Sequence, residues 1–584
     1  MTNPPAGPLL VRHRYLALLV AGIAIYGFCL GTRDLWFPDE PNTGEVTQAM
    51  YYSGDWVSPR RTDEIWVDYP PLLYWAGCAS SHLLGGITAF SLRLPCALAA
   101  ILLALATCRA GSRWFGPRAG LWAGFTLLTF TQFWVNAVGY RPDMLFSLFI
   151  GLGVLLYASA FGADRPEWGP RIMAFGLFGL AVLTKGPLGV LLPGLVLFLW
   201  HAIRREWRSL LALAPLALLS FAIYVPWFLA CARAMGTDNI LREFWAQNFQ
   251  RFYSGFRGHQ HAFHYYLIQT WADLALWSPL LPFAIRWLCR GGGWRDRNVQ
   301  LLLCWFGAML VFLSIAVTKR QVYLMPAHAA AALMLAPYLA AVGRPAGPRP
   351  APDGRPARWL VAALAVALSI VGAAGLVASI APALFLDWLQ DWKPDELLRA
   401  TLLAERAPVA LLSAVALAGA LWMLKAWRAG DLPASLARTA AVQVPIYLLV
   451  SALVLPTLNP IRTYAPEGQW IREHVAPGET AFALFNPELG HHKRSAFQYY
   501  AWPLKVVWAR EGTSPADDPQ GRALQTVADV DRFFERHPGS ICLVGEKFLK
   551  LFLDSDREAW EARIVKTDCI AGEYPYTVLR GPRR

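Results

Sequence analysis

Runs of apolar residues recur along most of the chain, each closed by a short polar or basic break. The stretches Leu98–Leu105, Ile172–Leu183, Leu210–Ala230, Trp359–Ile380 and Val442–Leu455 reach, with their flanks, the roughly 20 residues that cross a hydrocarbon core as helix. The pattern predicts spans near residues 15–30, 91–110, 119–138, 143–161, 171–184, 187–202, 209–230, 265–288, 298–316, 322–341, 358–380, 405–426 and 437–456. No small-residue cleavage site follows the first run, so it reads as a retained helix and not a removed leader.

Three segments depart from that pattern. Pro70–Leu84 is apolar but short and carries Tyr74, Trp75 and His82, as a helix lying in the membrane interface does. With Asn42–Tyr52 it predicts two interfacial helices within one outward loop, residues 32–90. Gly343–Arg358, rich in Pro, Gly and Arg, reads as a flexible cytoplasmic loop. From Leu458 the composition becomes that of a soluble protein, and strand-like runs Thr480–Leu484, Lys505–Trp508, Ser540–Val544 and Tyr576–Leu579 predict an α/β domain over 458–584. The expected fold class is a polytopic α-helical membrane domain, 1–457, followed by a soluble α/β domain.

Charge gives that picture a direction. The chain is 56% hydrophobic and 16% charged, with a net charge of +13. The basic residues cluster between spans: Arg12/Arg14, Arg109/Arg113/Arg118, Arg165/Arg171, Arg204/Arg205/Arg208, Arg286/Arg290/Arg295/Arg297, Arg344/Arg349/Arg355/Arg358 and Lys425/Arg428/Arg438. Taken as cytoplasmic, they give a consistent topology of about thirteen spans, with the N-terminus inside and the C-terminal domain outside. The surplus is topogenic, and no nucleic-acid partner is expected. The nine cysteines show no CxxC or CxxH spacing, which excludes a zinc or iron–sulfur site of that kind. Cys542 and Cys569 fall in the outer domain, where a disulfide and two buried thiols are equal readings.

On this topology the unusual polar residues gather at the outer ends of spans. Asp39 and Glu40 follow the first span, and Asp68-Tyr69-Pro70-Pro71 closes the polar part of the loop. Arg141-Pro142-Asp143, Thr184-Lys185-Gly186-Pro187, Asn248-Phe249-Gln250-Arg251-Phe252 with His259 and His261, and Thr318-Lys319-Arg320-Gln321-Val322-Tyr323 follow in turn. Carboxylates beside cations at a membrane surface suit chemistry on a phosphate-bearing lipid: the tail partitions into the bilayer and the cations neutralise the phosphate. Each residue also has a plainer reading. Asp39 or Glu40 caps a helix that Pro41 opens and Ser53-Gly54 closes, Asp143 starts the next span, and Lys185, Arg251 and Lys319 snorkel to headgroups. Lone loop histidines are usually incidental. A paired-repeat transporter or lipid-linked-sugar flippase is the rival class; the chain shows no internal repeat, and its charges sit at one face.

These residues also carry a family resemblance. Trp36-Phe37-Pro38-Asp39-Glu40, Glu45, Ser53-Gly54-Asp55-Trp56-Val57-Ser58-Pro59 and Tyr69-Pro70-Pro71-Leu72-Leu73-Tyr74-Trp75 resemble the first outer loop of the GT-C glycosyltransferases. The aminoarabinose transferases of lipid A modification and the protein O-mannosyltransferases are the nearest in pattern. Ser91-Leu92-Arg93-Leu94-Pro95, Trp114-Phe115-Gly116 and Leu324-Met325-Pro326 agree in order, and the likeness extends to about residue 340. It implies the GT-C fold and a polyprenyl (undecaprenyl) phosphate sugar donor. It also implies transfer to lipid A or another envelope glycolipid, glycan or protein at the periplasmic face of a bacterial inner membrane, with inversion. By the resemblance, the catalytic set is the Asp39-Glu40 pair, with Asp39 favoured as the catalytic carboxylate, and Asp143 as a second acidic residue of the site, while Arg251 and Tyr323 touch the donor phosphate. Aminoarabinose transferases carry Glu-Lys-Pro where this chain has Asp68-Tyr69-Pro70, so Lys185, Lys319 or Arg320 must supply the charge that Tyr69 lacks. No motif indicates a cofactor, and the need for a metal is left open. A divalent metal at Asp68, His259 and His261 is an open alternative without a supporting ligand spacing.

Overall fold

The computed structural model describes residues 9–61, 64–161, 167–250, 252, 260–345, 350–381, 406–475, 479, 481–485, 491–508, 524, 526–571 and 574–581. Contacts divide the chain into two compact units: residues 1–30, 67–80 and 93–455, and residues 31–66, 81–92 and 456–584.

The first unit is helical. Eight helices are long and apolar enough to cross a membrane: Ala89–Phe115, Pro142–Ser159, Trp207–Met235, Arg297–Ile315, Gln321–Ala341, Arg355–Ile380, Arg406–Arg428 and Leu432–Thr457. The protein is therefore a polytopic helical membrane protein. The other five expected spans are shorter, interrupted or less apolar. Arg14–Gly27 and Leu188–Ile203 are shorter apolar helices, and Trp168–Lys185 carries Arg171 and Lys185 near its ends. The expected span 265–288 is Tyr265–Asp273, a 3-10 turn Ser278–Leu280 and Leu281–Cys289. Leu276 takes a left-handed conformation in the break (φ 71°). Pro279 and Pro282, which lack an amide proton, follow it.

The expected span 119–138 also breaks. Pro117–Thr129 ends at Phe130, whose backbone is extended (φ −64°, ψ 129°), and Thr131–Ala137 begins there. A break inside a membrane domain leaves carbonyls without partners unless other groups reach them. Here Tyr26 donates its hydroxyl to the Leu128 carbonyl (2.6 Å) and Tyr447 donates to the Thr129 carbonyl (2.8 Å). The Trp277 indole N–H donates to Thr129 Oγ1 (3.0 Å). Two distant tyrosines thus satisfy carbonyls at one interruption, and Trp277 holds the Thr129 side chain beside it. The Pro/Gly/Arg-rich loop is held likewise, at least in its described part: Trp287 donates to the Pro350 carbonyl and Tyr338 to that of Asp353.

The second unit holds a two-residue ladder, β1 (Arg60–Arg61) with β2 (Glu64–Ile65), and a five-stranded mixed sheet. Its strands are β3 (Ala481–Phe485), β4 (Lys505–Trp508), β5 (Ile541–Gly545), β6 (Ile564–Ala571) and β7 (Tyr574–Arg580), in the order β4-β3-β5-β7-β6. β3 runs parallel to β4 and β5, and β7 antiparallel to β5 and β6. Alternate residues of β3 enter two cores. Phe482 and Leu484 pack with Phe497, Val506 and Tyr576, while Ala483 and Phe485 pack with Phe533, Val544 and Trp560. Cys542 is a buried free thiol on β5; the Cys569 side chain lies outside the described residues. The sequence pattern missed β6 because Lys566, Thr567 and Asp568 interrupt it and its pairing with β7 shifts register.

The helix Asp39–Ser53 belongs to this unit and packs on helix His491–Ala501. A Cβ at Gly44 would come to 3.0 Å from the Leu35 and Tyr499 side chains, which would have to give way slightly to admit it. Tyr500 bridges the backbone of Leu35, accepting from its N–H (2.7 Å) and donating to its carbonyl (3.1 Å).

If the two tyrosines repair the break at Phe130, Tyr26→Phe and Tyr447→Phe each leave a buried carbonyl unpaired. Each should cost about 1–2 kcal/mol. Thermal unfolding in one fixed lipid or detergent checks this, and unchanged transitions in both variants would refute it.

Candidate functional site

The main cleft lies in the helical unit. It is lined by Asp68, Tyr69, Asp143, Lys185, Gln247, Asn248, Thr318 and Tyr323 on its polar side. Phe146, Leu188, Leu192, Tyr224, Trp227, Phe228, Ile240, Phe244, Phe252, Phe312 and Leu313 make the apolar side. The cleft encloses about 1090 Å³, including the part open to solvent. A long aromatic wall ending in a few charges fits an amphipathic ligand with an apolar tail and a small charged head.

Helix ends position the charges. Pro142 takes the first turn of helix Pro142–Ser159 without losing a needed N–H, and Asp143 follows it at the positive end of the helix dipole. Lys185 ends Trp168–Lys185, at the end that favours a cation. Gly186 then turns the chain at φ +83°, and a Cβ there would meet Asn248 Oδ1 at 2.7 Å. Lys185 Nζ donates to Asp143 Oδ1 in a short ion pair whose two side chains are each 8% exposed. The ammonium also faces aromatic rings: Tyr323 at 4.6 Å, Phe146 at 5.8 Å and Tyr69 at 6.0 Å. Such contacts favour a partly desolvated cation.

Lys319 is not among the lining residues, although Ala316 and Thr318 beside it are. It is 2% exposed, and its ammonium donates to the carbonyls of His261 (2.8 Å) and Ala316 (2.5 Å). Loss of solvent lowers its pKa. It ties together a short clip in which Gln260 bridges Thr318, and Tyr266 donates to the Arg320 carbonyl. The exposed ring of His261 stacks on Tyr265 (4.2 Å). Arg251 and His259 lie outside the described residues. Among the described residues, no group of three or more His, Cys, Asp or Glu side chains could hold a metal ion; Asp68 lines the cleft and His261 belongs to the clip.

Asp39 and Glu40 belong to the second unit. They form the first turn of helix Asp39–Ser53, which Gly54 closes in a left-handed conformation (φ 72°). Pro38 holds the cap position, without a side-chain capping bond. Asp39 is half-buried. Glu40 is buried, and its Oε2 accepts from Arg33 Nη1 (2.5 Å) and from the backbone N–H of Trp36 (2.9 Å). Arg33 in turn stacks over Trp36 (4.5 Å). Glu40 therefore staples the loop entering its own helix. Arg61, fully buried, donates to Glu45 Oε2 (3.2 Å) and covers the Trp66 ring (4.0 Å). The cleft thus gathers Asp68, Tyr69, Asp143, Lys185 and Tyr323. Reading the sequence missed Arg33, whose signal was a lone cation seven residues before Glu40. It also missed the aromatic wall, whose residues looked like ordinary span interior.

Comparison with known proteins follows the same outline. Residues 68–229 match the dolichyl-phosphate-mannose-protein mannosyltransferase family. The undecaprenyl phosphate-alpha-4-amino-4-deoxy-L-arabinose arabinosyl transferase of Edwardsiella ictaluri is 31% identical over 335 residues, covering 56% of this chain and 59% of that one. That of Pseudomonas paraeruginosa is 31% identical over 338 residues, with 56% and 59% covered. The matched stretch spans about 59% of the length of these relatives. In fold, the chain is similar to crystal structures of ArnT from Cupriavidus metallidurans. The form bound to undecaprenyl phosphate superposes with a TM-score of 0.76 at 21% identity, covering 99% of this chain and 98% of that one. The apo form gives 0.73 at 21% identity, with 98% and 97% covered.

A staple predicts loss of stability where a catalytic acid predicts loss of turnover. Glu40→Gln removes the carboxylate charge facing the buried Arg33 and should destabilise the second unit by about 3 kcal/mol. Thermal unfolding measures it; a variant with wild-type stability and no transfer activity would restore Glu40 to the chemistry.

Proposed function

We propose that this chain is an ArnT-like GT-C glycosyltransferase that moves a sugar from a polyprenyl phosphate donor to lipid A or a similar envelope glycolipid; its likeness to such proteins in sequence and fold supports the reading. One observation carries the reading: the aromatic cleft closes on the Lys185–Asp143 pair beside Tyr323. A polyprenyl tail suits the wall and a phosphate suits the cation. The relatives are named for a 4-amino-4-deoxy-L-arabinose donor. Among the described lining residues, Asp68 and Asp143 outnumber Lys185, which suits a sugar bearing an ammonium beside its phosphate.

In the reaction, the bond between the anomeric carbon and the phosphate oxygen breaks as an acceptor oxygen bonds to that carbon. The donor phosphodiester becomes a monoester, so extra negative charge develops on the leaving group. Lys185 and Tyr323 stabilise that charge, with Arg251 assigned to the same task by family resemblance. Asp39, assigned as the catalytic carboxylate by family resemblance alone, takes the acceptor proton when the acceptor is a hydroxyl; a phosphate acceptor arrives already ionised and needs only positioning. Lys185 replaces the lysine that relatives carry at the position of Tyr69. Asp143 competes with the donor phosphate for Lys185, so it weakens the hold on the product and speeds its release. The finer topology of about thirteen spans, with the reaction and the 458–584 domain at the periplasmic face of a bacterial inner membrane, rests on the distribution of basic residues.

Incubating the purified chain in nanodiscs with radiolabelled polyprenyl-phosphate sugars and lipid A tests the function. Labelled lipid A supports it. Labelled protein acceptors would favour a mannosyltransferase-like activity, which the family match over 68–229 keeps as the second reading. Movement of intact donor between leaflets would favour transport. Asp39→Asn should lower transfer at least 100-fold with donor binding intact. Lys185→Gln should weaken donor use and lower turnover by a factor of 10²–10³. Asp143→Asn should bind polyprenyl phosphate about tenfold more tightly, with a lower kcat; weaker binding in that variant would refute the competition.

A further inference from the structure

The helices that carry the cleft also build a second charged cluster, at their other ends. Asp143, Lys185, Leu188, Trp227 and Leu313 line the cleft. Tyr157, Arg171, His201, Ser209 and Arg297 stand at the opposite ends of the same helices. A helix of 18 residues is about 27 Å long, so the two sets of ends lie roughly one hydrocarbon core apart.

In this second cluster one carboxylate serves several cations. Glu206 accepts from Arg204 Nε (2.9 Å) and from Arg297 Nη2 (2.8 and 2.9 Å), and pairs with His201 Nδ1 (2.8 Å). Arg171 is 3% exposed and, among the described residues, has no carboxylate partner: it donates to Ser209 Oγ (3.3 Å), and its buried Nε has no hydrogen-bond partner there. Its guanidinium lies on Phe161 (4.4 Å) and Trp168 (5.2 Å), and Arg297 lies on the same Phe161 (4.3 Å) and on Trp200 (5.0 Å). Two guanidiniums sharing one ring repel each other, and the described residues supply a single acid for three arginines. The site therefore attracts an anion. Exposed Trp168 and Trp207 stand at these same helix ends, as aromatic residues do at headgroup depth, and exposed Met173, Ile203 and Leu211 adjoin them.

We propose that this arginine cluster, at the helix ends away from the cleft, seats the phosphodiester headgroup of an anionic phospholipid. Planar guanidiniums bind phosphate oxygens in pairs, and the acyl chains rest on the exposed apolar side chains beside the tryptophans. The lipid then clamps the far ends of the helices that hold Asp143 and Lys185. The proposal is independent of which sugar or acceptor the cleft serves.

The test is thermal unfolding of the purified full chain titrated with phosphatidylglycerol, phosphatidylcholine or inorganic phosphate. Phosphatidylglycerol should raise the transition of the wild type, and Arg171→Gln should weaken that response about fivefold or more. Arg171→Lys should recover part of it, and Arg233→Gln, an exposed arginine on another helix end, should leave it unchanged. Equal protection by phosphatidylcholine or by inorganic phosphate, or an undiminished response in Arg171→Gln, would overturn the proposal. If Arg171→Gln does not fold, hydrogen exchange on the wild type decides. Slowing by phosphatidylglycerol across 168–175 and 201–210 supports the site, and slowing confined to other segments overturns it.

Discussion

In hydrocarbon a polar group has no water to turn to, and that constraint shapes this protein from backbone to site. Regular helix satisfies its own amides, so every irregularity needs an outside partner. The break at Phe130 finds hydroxyls on Tyr26 and Tyr447, two residues from opposite ends of the helical unit's sequence. The clip at 260–266 and 316–320 uses a backbone bridge, a tyrosine and the buried ammonium of Lys319. The polar chemistry sits where helices end, because there unsatisfied amides and dipoles already favour charge.

The same constraint sorts the carboxylates. Glu40, Glu45 and Glu206 each hold a guanidinium and thereby fix a loop or a helix end. Asp143 differs in its partner: it holds a flexible ammonium that also faces three aromatic rings in an open cleft. A guanidinium held on both an acid and a ring is a fixed strut. An ammonium on a four-carbon stem can be drawn to a stronger anion that enters beside it. That distinction, and not the presence of an acid alone, singles out Asp143 and Lys185.

Much of this was legible in the sequence. Apolar period and length placed eight membrane-length helices, and Pro142-Asp143 and Lys185-Gly186 marked helix ends that the structure brings together. The helix closed by Ser53-Gly54 and four of the five sheet strands were equally readable. What stayed hidden needed three-dimensional partners. Hydropathy averages over a break such as Phe130, since an extended residue flanked by apolar ones looks like helix. It cannot tell lipid-facing from cleft-facing aromatics, so Trp227 and Phe228 passed as ordinary span. The acceptors of Lys319 are backbone carbonyls, which no side-chain pattern reveals.

Two-ended helices tie these observations into one mechanical argument. Because Trp168–Lys185 carries Arg171 at one end and Lys185 at the other, any force that tilts or slides it acts on both charges at once. Pro142–Ser159 does the same with Asp143 and Tyr157, whose hydroxyl meets His201 at 2.9 Å. Packed helices move as rigid bodies more readily than they bend, so the register between Asp143 and Lys185 depends on how firmly their far ends are held. The Glu206 network holds them from within the protein. A headgroup on Arg171 would complete that hold from the bilayer, and the lipid around the protein would then help set how easily Lys185 leaves Asp143 for a phosphate.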